Sequence, residues 1–254
     1  LAILKRCNNV EKIERTGCAV AVIDFHSHIL PGIDDGSKNV QMSLEMLKRA
    51  SEQGVDVMLA TSHFYASRHR IEDFLEKRQR AYERLAEAKN DFGPAIRLGA
   101  EVAFFSGISR ADRLEELAVE GSHVLLLEMP FSDWSRTDIR EVEALISRRG
   151  FQVVLAHLER YLGMPENKKW ITELLEMPLY VQINAESLLG WRKRGPLLKM
   201  FKKGQAHFLG SDCHRLEIRE PNLGRGREVL IKKLGKEFVD TMDERGSRLL
   251  QIGG

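Results

Sequence analysis

The stretch Val20-Ala21-Val22-Ile23-Asp24-Phe25-His26-Ser27-His28 is a short apolar run that stops on two histidines, and the same arrangement returns along the chain. Val55–Ala60 leads to His63, Ile96–Ala100 to Glu101, Val124–Leu127 to Glu128, Val153–Ala156 to His157, Leu179–Ile183 to Asn184, and Phe208–Gly210 to Asp212 and His214. Helical spacing fills the intervals. Asn39 reads as an N-cap followed by Val40, Leu44, Leu47 and Ala50, with Gly54 as the stop. Further helices are expected at Ile71–Asn90, Ser109–Ala118, Thr137–Arg149, Pro165–Leu175, Pro196–Lys203 and Leu223–Leu234, and another within Gly235–Leu250. Buried strands alternating with helices imply a parallel sheet with right-handed crossovers. Seven such runs, nearly all ending on a residue of metal-ligand type, favour a closed α/β barrel with its chemistry at the carboxyl-terminal rim over an open doubly wound sheet.

The bulk properties set bounds. A chain of 254 residues suits one barrel domain, and a formal net charge of +2, from 39 basic against 37 acidic residues, gives no general argument for nucleic acid or membrane binding. Cys7, Cys18 and Cys213 form neither a C-x-x-C pair nor an even disulfide set, which fits a reducing cytoplasm. No apolar stretch approaches the ~20 residues needed to span a bilayer. Residues 1–19 lack the apolar centre of a signal peptide and read as a poorly ordered extension, leaving residues 20–254 as a single domain.

His26 and His28, two apart on an extended strand, project to one side and can clamp one ion; Asp212 and His214 repeat the device at the last strand. The other histidines act as an internal control. His63 and His157 also fall at strand ends, whereas His123 and His207 fall at strand starts, where a structural role is expected, and His69 sits in a basic loop. Glu101 and Glu128 end strongly apolar strands, where a carboxylate is costly unless an arginine or a metal ion compensates it. Two carboxylates beside five imidazoles favour the metal. A mixed His and carboxylate set suits Mn²⁺, Fe²⁺, Zn²⁺ or Co²⁺ rather than Ca²⁺ or Mg²⁺. The residues alone therefore read as a metal-dependent hydrolase.

Asp24-Phe25-His26-Ser27-His28 with Asp34-Asp35-Gly36, then Thr61-Ser62-His63, Gly99-Ala100-Glu101, Leu127-Glu128, Ala156-His157-Leu158-Glu159-Arg160-Tyr161 and Ser211-Asp212-Cys213-His214 resemble, in order, the PHP (polymerase and histidinol phosphatase) superfamily. Within it the chain looks like the capsule-associated, metal-dependent protein-tyrosine phosphatases of the CpsB and YwqE kind. The resemblance covers about Ile23 to Ile252. It implies a distorted (β/α)₇ barrel of the PHP type holding three divalent ions, usually Mn²⁺. By that likeness His26, His28, Glu101 and Asp212 hold the first ion, Glu101, Glu128 and His157 the second, and Asp35, His63 and His214 the third. Arg160 and Arg219 match the arginines that grip the phosphate. The implied reaction is hydrolysis of phosphotyrosine by a metal-activated hydroxide. The implied partner is the tyrosine-rich tail of a bacterial tyrosine kinase that controls capsule or exopolysaccharide synthesis.

Aromatic and basic residues near strand ends are expected to form the substrate rim: Phe64, Tyr65, Arg68, His69 and Arg70, then Phe131, Trp134 and Arg136, then Trp191 to Arg194. Four other readings compete. Cys213 to Arg219 spells C-x5-R, the pattern of thiol-dependent phosphatases, but lacks the glycine their phosphate loop uses. An amidohydrolase would want a Lys where Glu128 stands and a His where Asn184 stands. A histidinol-phosphate or other small-molecule phosphoesterase shares fold and metals, and a non-catalytic, metal-stabilised accessory module would be expected to lose ligand positions.

Overall fold

A computed structural model describes residues 20–252, so the extension expected at residues 1–19 lies outside the described residues. The strands are β1 (Ile23–Ser27), β2 (Val57–Ala60), β3 (His63–Phe64), β4 (Ala95–Leu98), β5 (Glu101–Ala103), β6 (Val124–Glu128), β7 (Gln152–Leu155), β8 (Tyr180–Asn184) and β9 (Phe208–Gly210). The helices are α1 (Val40–Glu52), α2 (Ile71–Lys89), α3 (Arg136–Ser147), α4 (Lys168–Leu174), α5 (Ala185–Leu189), α6 (Trp191–Lys202), α7 (Leu223–Leu234) and α8 (Lys236–Leu249).

All strand pairings are parallel. They form two sheets, β1-β2-β4 and β3-β5-β6-β7-β8-β9. Two of the expected runs are bent rather than straight. One breaks at Thr61-Ser62 between β2 and β3, the other at Gly99-Ala100 between β4 and β5, so each carries one sheet into the other. The backbone beyond β9 returns to β1 through a parallel bridge between Ser27 and Cys213. There Asp212 N donates to His26 O at 2.7 Å and His28 N donates to Cys213 O at 2.9 Å. Counting each bent run once, seven staves close into a distorted (β/α)₇ barrel. β1 and β6 are buried along their whole length, as strands covered on both faces must be.

Local signals explain most element ends. Asn39 Oδ1 accepts from Met42 N at 2.9 Å and starts α1, which buries Met46, Leu47 and Ala50. α3 begins one residue before the expected Thr137 because Ser135 and Asp138 form a reciprocal capping box. The helix expected over Ser109–Ala118 is instead two 3-10 turns, Ile108–Arg110 and Leu114–Leu117, separated by Arg113 in left-handed backbone. The buried Leu114 and Leu117 are three apart, a spacing that one tight turn satisfies. Pro196 does not start α6 but lies inside it, forfeiting one backbone bond, and α5 is too short to show a period. Among the described residues no helix is long and apolar enough to cross a membrane.

The seam between β9 and β1 is set by one missing side chain and one stacked pair. A Cβ on Gly210 would lie 2.6 Å from His26 Cβ and 3.0 Å from His26 N. Phe25 and Phe208 stack across the seam with ring centroids 3.9 Å apart. Gly210→Ala should push the strands apart and cost about 1–3 kcal/mol, the usual penalty of overpacking. Urea denaturation of the variant measures this, and an unchanged midpoint would show that the seam is more yielding than its contacts imply.

Candidate metal centre

The nine expected residues arrive at the same rim of the barrel from six of its seven staves. Glu101, at the start of β5, is buried and lies within reach of four imidazoles. Its Oε1 is 2.8 Å from His157 Nε2, and its Oε2 is 2.7 Å from His63 Nδ1, 3.3 Å from His26 Nε2 and 3.4 Å from His28 Nε2. Asp212 Oδ1 lies 3.6 Å from His26 Nε2 and 3.5 Å from His28 Nε2. Glu128 Oε1 is 3.4 Å from His157 Nε2. The half-open side carries Asp35, whose Oδ1 is 3.4 Å from both His63 Nε2 and His214 Nε2. All nine expected positions fall into compact donor groups: His28, Asp35, His63 and His214; His26, His28 and Glu101; His26, His157 and Asp212; and His63, Glu101 and Glu128.

Hydrogen bonding on the far side of the rings fits this donor set to a cation. His28 Nδ1 lies 2.8 Å from Asp34 Oδ2, and His26 Nδ1 lies 3.2 Å from Gln182 Oε1. Both partners can only accept, so both Nδ1 atoms carry hydrogen. The two Nε2 atoms then meet 3.1 Å apart, an arrangement that needs a positive charge, whether a proton or a metal ion. Glu101 Oε2 and His63 Nδ1, although 2.7 Å apart, are not aligned as a hydrogen bond, and both are buried without one; so is His214 Nε2. Buried donor atoms left without a hydrogen-bond partner beside one another are what a divalent ion would use.

The titration behaviour agrees. Burial opposes the charged form of Glu101 and of Asp212, yet the neighbouring imidazoles hold both well below the usual carboxylate range. Burial likewise opposes charge on His157, but hydrogen bonds to Glu101 and Glu128 lift it to about 9, and Asp34 lifts His28 well above the ordinary histidine value. The site is thus short of positive charge. His214 goes the other way, to about 4, because of burial and the charges of His28 and Arg219. Ligand imidazoles must be deprotonated, so an ion entering here would displace protons.

Arg160 is the last residue of a 3-10 turn, Leu158–Arg160, after β7, and Arg219 lies in the loop after β9, where its carbonyl accepts from His214 N. Arg160 NH2 donates to Asp212 Oδ2, and Arg219 NH2 donates to Asp212 Oδ1 at 2.5 Å, so both guanidinium groups stand at the mouth beside the donor cluster. Six non-glycine residues among those described have positive φ, and three of them are His157 (33°), Asp212 (51°) and Arg219 (59°). Backbone held in that region costs ~1–3 kcal/mol each, and such residues cluster at functional sites.

The expected rim divides. Tyr65, Arg68 and His69 line a cavity of about 360 Å³ with Asp34, Asp35 and His63. Phe131, 56% exposed, stacks on Tyr161 with centroids 4.9 Å apart and faces His157 at 6.0 Å. The others have structural work. Phe64 is buried against Phe74, Trp134 is buried and donates to Pro130 O, Arg136 pairs with Glu173, and Arg194 donates to the carbonyls of Leu188 and Leu189 at the end of α5. Arg70 precedes α2 and pairs with Glu72. Trp191 begins α6 rather than a loop and is exposed. As expected, His123 and His207 precede strands, and His207 Nδ1 accepts from Val181 N at 3.0 Å.

Cys213 is fully buried, its backbone closes the barrel, and burial pushes its thiol pKa up, which removes the thiol mechanism's nucleophile. Residues that the sequence did not single out also serve the site. Gln182 is a polar side chain inside a buried strand, which is itself a signal. Asp24 accepts from His26 N and from Ser211 N across the seam, and burial raises its pKa to about 6.

Comparison with known proteins agrees with this arrangement. The family model for capsular polysaccharide synthesis, CpsB/CapC, matches residues 22–249. The tyrosine-protein phosphatase CpsB of Streptococcus pneumoniae is 30% identical over 242 residues, covering 86% of this chain and 96% of its own. YwqE of Bacillus subtilis, also a tyrosine-protein phosphatase, is 26% identical over 234 residues, covering 91% and 92%. A chain from the crystal structures of YwqE and CpsB, described as metal-dependent tyrosine phosphatases, superposes with a TM-score of 0.79 at 26% identity, covering 92% of this chain and 96% of that one. A TatD-family hydrolase from Entamoeba histolytica shares the fold alone, with a TM-score of 0.55 at 14% identity. The chain belongs to the CpsB/CapC family of capsular polysaccharide synthesis proteins.

Proposed function

We propose that the chain is a metal-dependent protein-tyrosine phosphatase. The observation that carries this reading is the convergence of nine ligand-type side chains on one rim with two arginines beside them. His26, His28, Asp35, His63, Glu101, Glu128, His157, Asp212 and His214 would hold three divalent ions, with Mn²⁺ the first choice and Fe²⁺, Zn²⁺ or Co²⁺ compatible with the same donors. The donor groups support the expected division of ligands only in part, because they place His28 with both the first and third sets and His63 beside Glu101 and Glu128. When bound, the ions supply Lewis acidity, lowering the pKa of water and drawing charge from phosphoryl oxygens.

The chain's own residues do the rest. Arg160 and Arg219 present planar donors that suit two phosphoryl oxygens and would turn from Asp212 to the substrate. Phe131, beside His157, and Tyr65, beside His63, would give an aryl ring apolar faces. A tyrosine leaving group, with pKa ≈ 10, is far easier to expel than an alkoxide, so no strong general acid is required. The natural substrate would be a phosphotyrosine protein, specifically the tyrosine-rich tail of a bacterial kinase controlling capsule or exopolysaccharide synthesis, met in the cytoplasm. Residues 20–254 would act as one metallophosphatase domain, with residues 1–19 an extension to it.

Three outcomes test the reading. His26→Ala or Asp212→Asn should abolish phosphotyrosine hydrolysis while circular dichroism stays unchanged, and full activity with wild-type metal content in either variant would sink the assignment. Chelation should inactivate the protein and Mn²⁺ restore it, whereas thiol alkylation should leave most activity because Cys213 is out of reach. Removing one donor to a developing charge in a water-poor site costs ~2.7–4 kcal/mol, so Arg160→Ala and Arg219→Ala should each lose roughly a hundredfold or more in turnover. Metal content measured on the same samples should stay at wild-type stoichiometry, and lost metal or unchanged turnover would show that the arginines act otherwise.

A further inference from the structure

β8 supplies none of the nine clustered residues, yet its two polar side chains touch three of them. Gln182 Oε1 accepts from the backbone N–H of His157 at 2.9 Å and lies 3.2 Å from His26 Nδ1. Gln182 Nε2 donates to Asn184 Oδ1 at 2.8 Å, and Asn184 Nδ2 donates to Asp212 Oδ2 at 2.7 Å. Both amides are buried, and Glu159 Oε1 steadies the second by accepting from Asn184 N at 3.1 Å.

The direction of this chain is fixed from its ends. A backbone N–H can only donate and a carboxylate can only accept, so neither amide can be turned over without two like groups facing each other. Oε1 of Gln182 is therefore an acceptor for His26. The His26 ring must carry hydrogen on Nδ1 and turn Nε2 toward Glu101 and Asp212. At the other end, Asn184 shares Asp212 Oδ2 with Arg160, while Oδ1, which accepts from Arg219, faces His26 and His28.

We propose that Gln182 and Asn184 are positioning residues that set the tautomer of His26 and aim His26 Nε2 and the Asp212 carboxylate at one divalent cation. This rests on the metal-centre reading above. With an apolar side chain at position 182 the His26 proton would distribute over both ring nitrogens, and part of the population would present N–H instead of a lone pair. Loss of such an outer partner lowers metal affinity about 10- to 100-fold.

The test uses Gln182→Met, which keeps the length but not the hydrogen bonds, and Gln182→Glu, which keeps the acceptor toward His26 and loses the donor toward Asn184. Long-range ¹H–¹⁵N spectra of the metal-stripped protein read the His26 tautomer, and calorimetric titration with Mn²⁺ alone reads affinity. Wild type should show hydrogen on Nδ1. Q182M should show mixed tautomers and Mn²⁺ binding weaker by about 10- to 100-fold, and Q182E should recover the tautomer and most of the affinity. A single Nδ1-protonated tautomer with wild-type affinity in Q182M overturns the proposal, as does Q182E behaving like Q182M. Should Q182M fail to fold, Q182E decides alone, because mixed tautomers there also overturn the relay. Wild-type protein that binds no Mn²⁺ while keeping the His26 tautomer would overturn the aiming of both groups at a cation and the metal-centre reading together, whereas a lost tautomer alone strikes only the relay.

Discussion

Glu101 is a carboxylate taken almost completely out of water and ringed by the imidazoles of His26, His28, His63 and His157. An unpaired anion in such a place would cost several kcal/mol even after relaxation. Among the described residues no arginine pairs with it, and Arg160 and Arg219 stop at Asp212. Three staves of the barrel, β1, the bent β2/β3 and β7, bring four ring nitrogens around it, and that requirement organises the rest. It fixes which end of the barrel carries the site and why the strands end where they do.

The bends in two staves follow from the same demand. Breaks at Thr61-Ser62 and Gly99-Ala100 let both chains cross into the second sheet, where His63 pairs in register with Glu101. Gly210 plays the corresponding part at the seam. Its missing side chain lets β9 lie against His26, so that the turn beyond it can put Asp212 in left-handed backbone and face it inward. Geometry that costs conformational energy is concentrated where the charges meet, while the strands and helices away from the rim carry ordinary apolar packing.

This explains what could be read in the sequence and what could not. Strand order, barrel class and the ligand-type residues were legible because each is a local pattern: an apolar run, its period, and the residue type that stops it. Asn39 and the helix over Leu223–Leu234 were legible for the same reason. The bends were not, since Thr61-Ser62 and Gly99-Ala100 interrupt a run without ending it, and their direction depends on a neighbouring sheet. The two 3-10 turns near Leu114 were hidden because three-residue and helical spacings cannot be told apart over so short a span. The rim was only half legible: Tyr65 and Trp134 look alike as aromatic loop residues, and only packing shows that one lines a cavity and the other is buried against Tyr161.

β8 shows why a ligand list undercounts a site of this kind. Imidazoles and carboxylates can meet an ion, but neither can carry a directional signal between the other two, because an ionised carboxylate only accepts and a ligating imidazole has a single hydrogen to give. A primary amide both donates and accepts. Gln182 and Asn184, two apart on one extended strand, therefore share a face and can join an imidazole to a carboxylate with every polar atom assigned. A glutamine in the middle of Leu179–Ile183 has no reason to be there for packing, and burying it unpaired would be costly. The strand that ends without a metal-ligating side chain is thus the one that holds those of its neighbours in place.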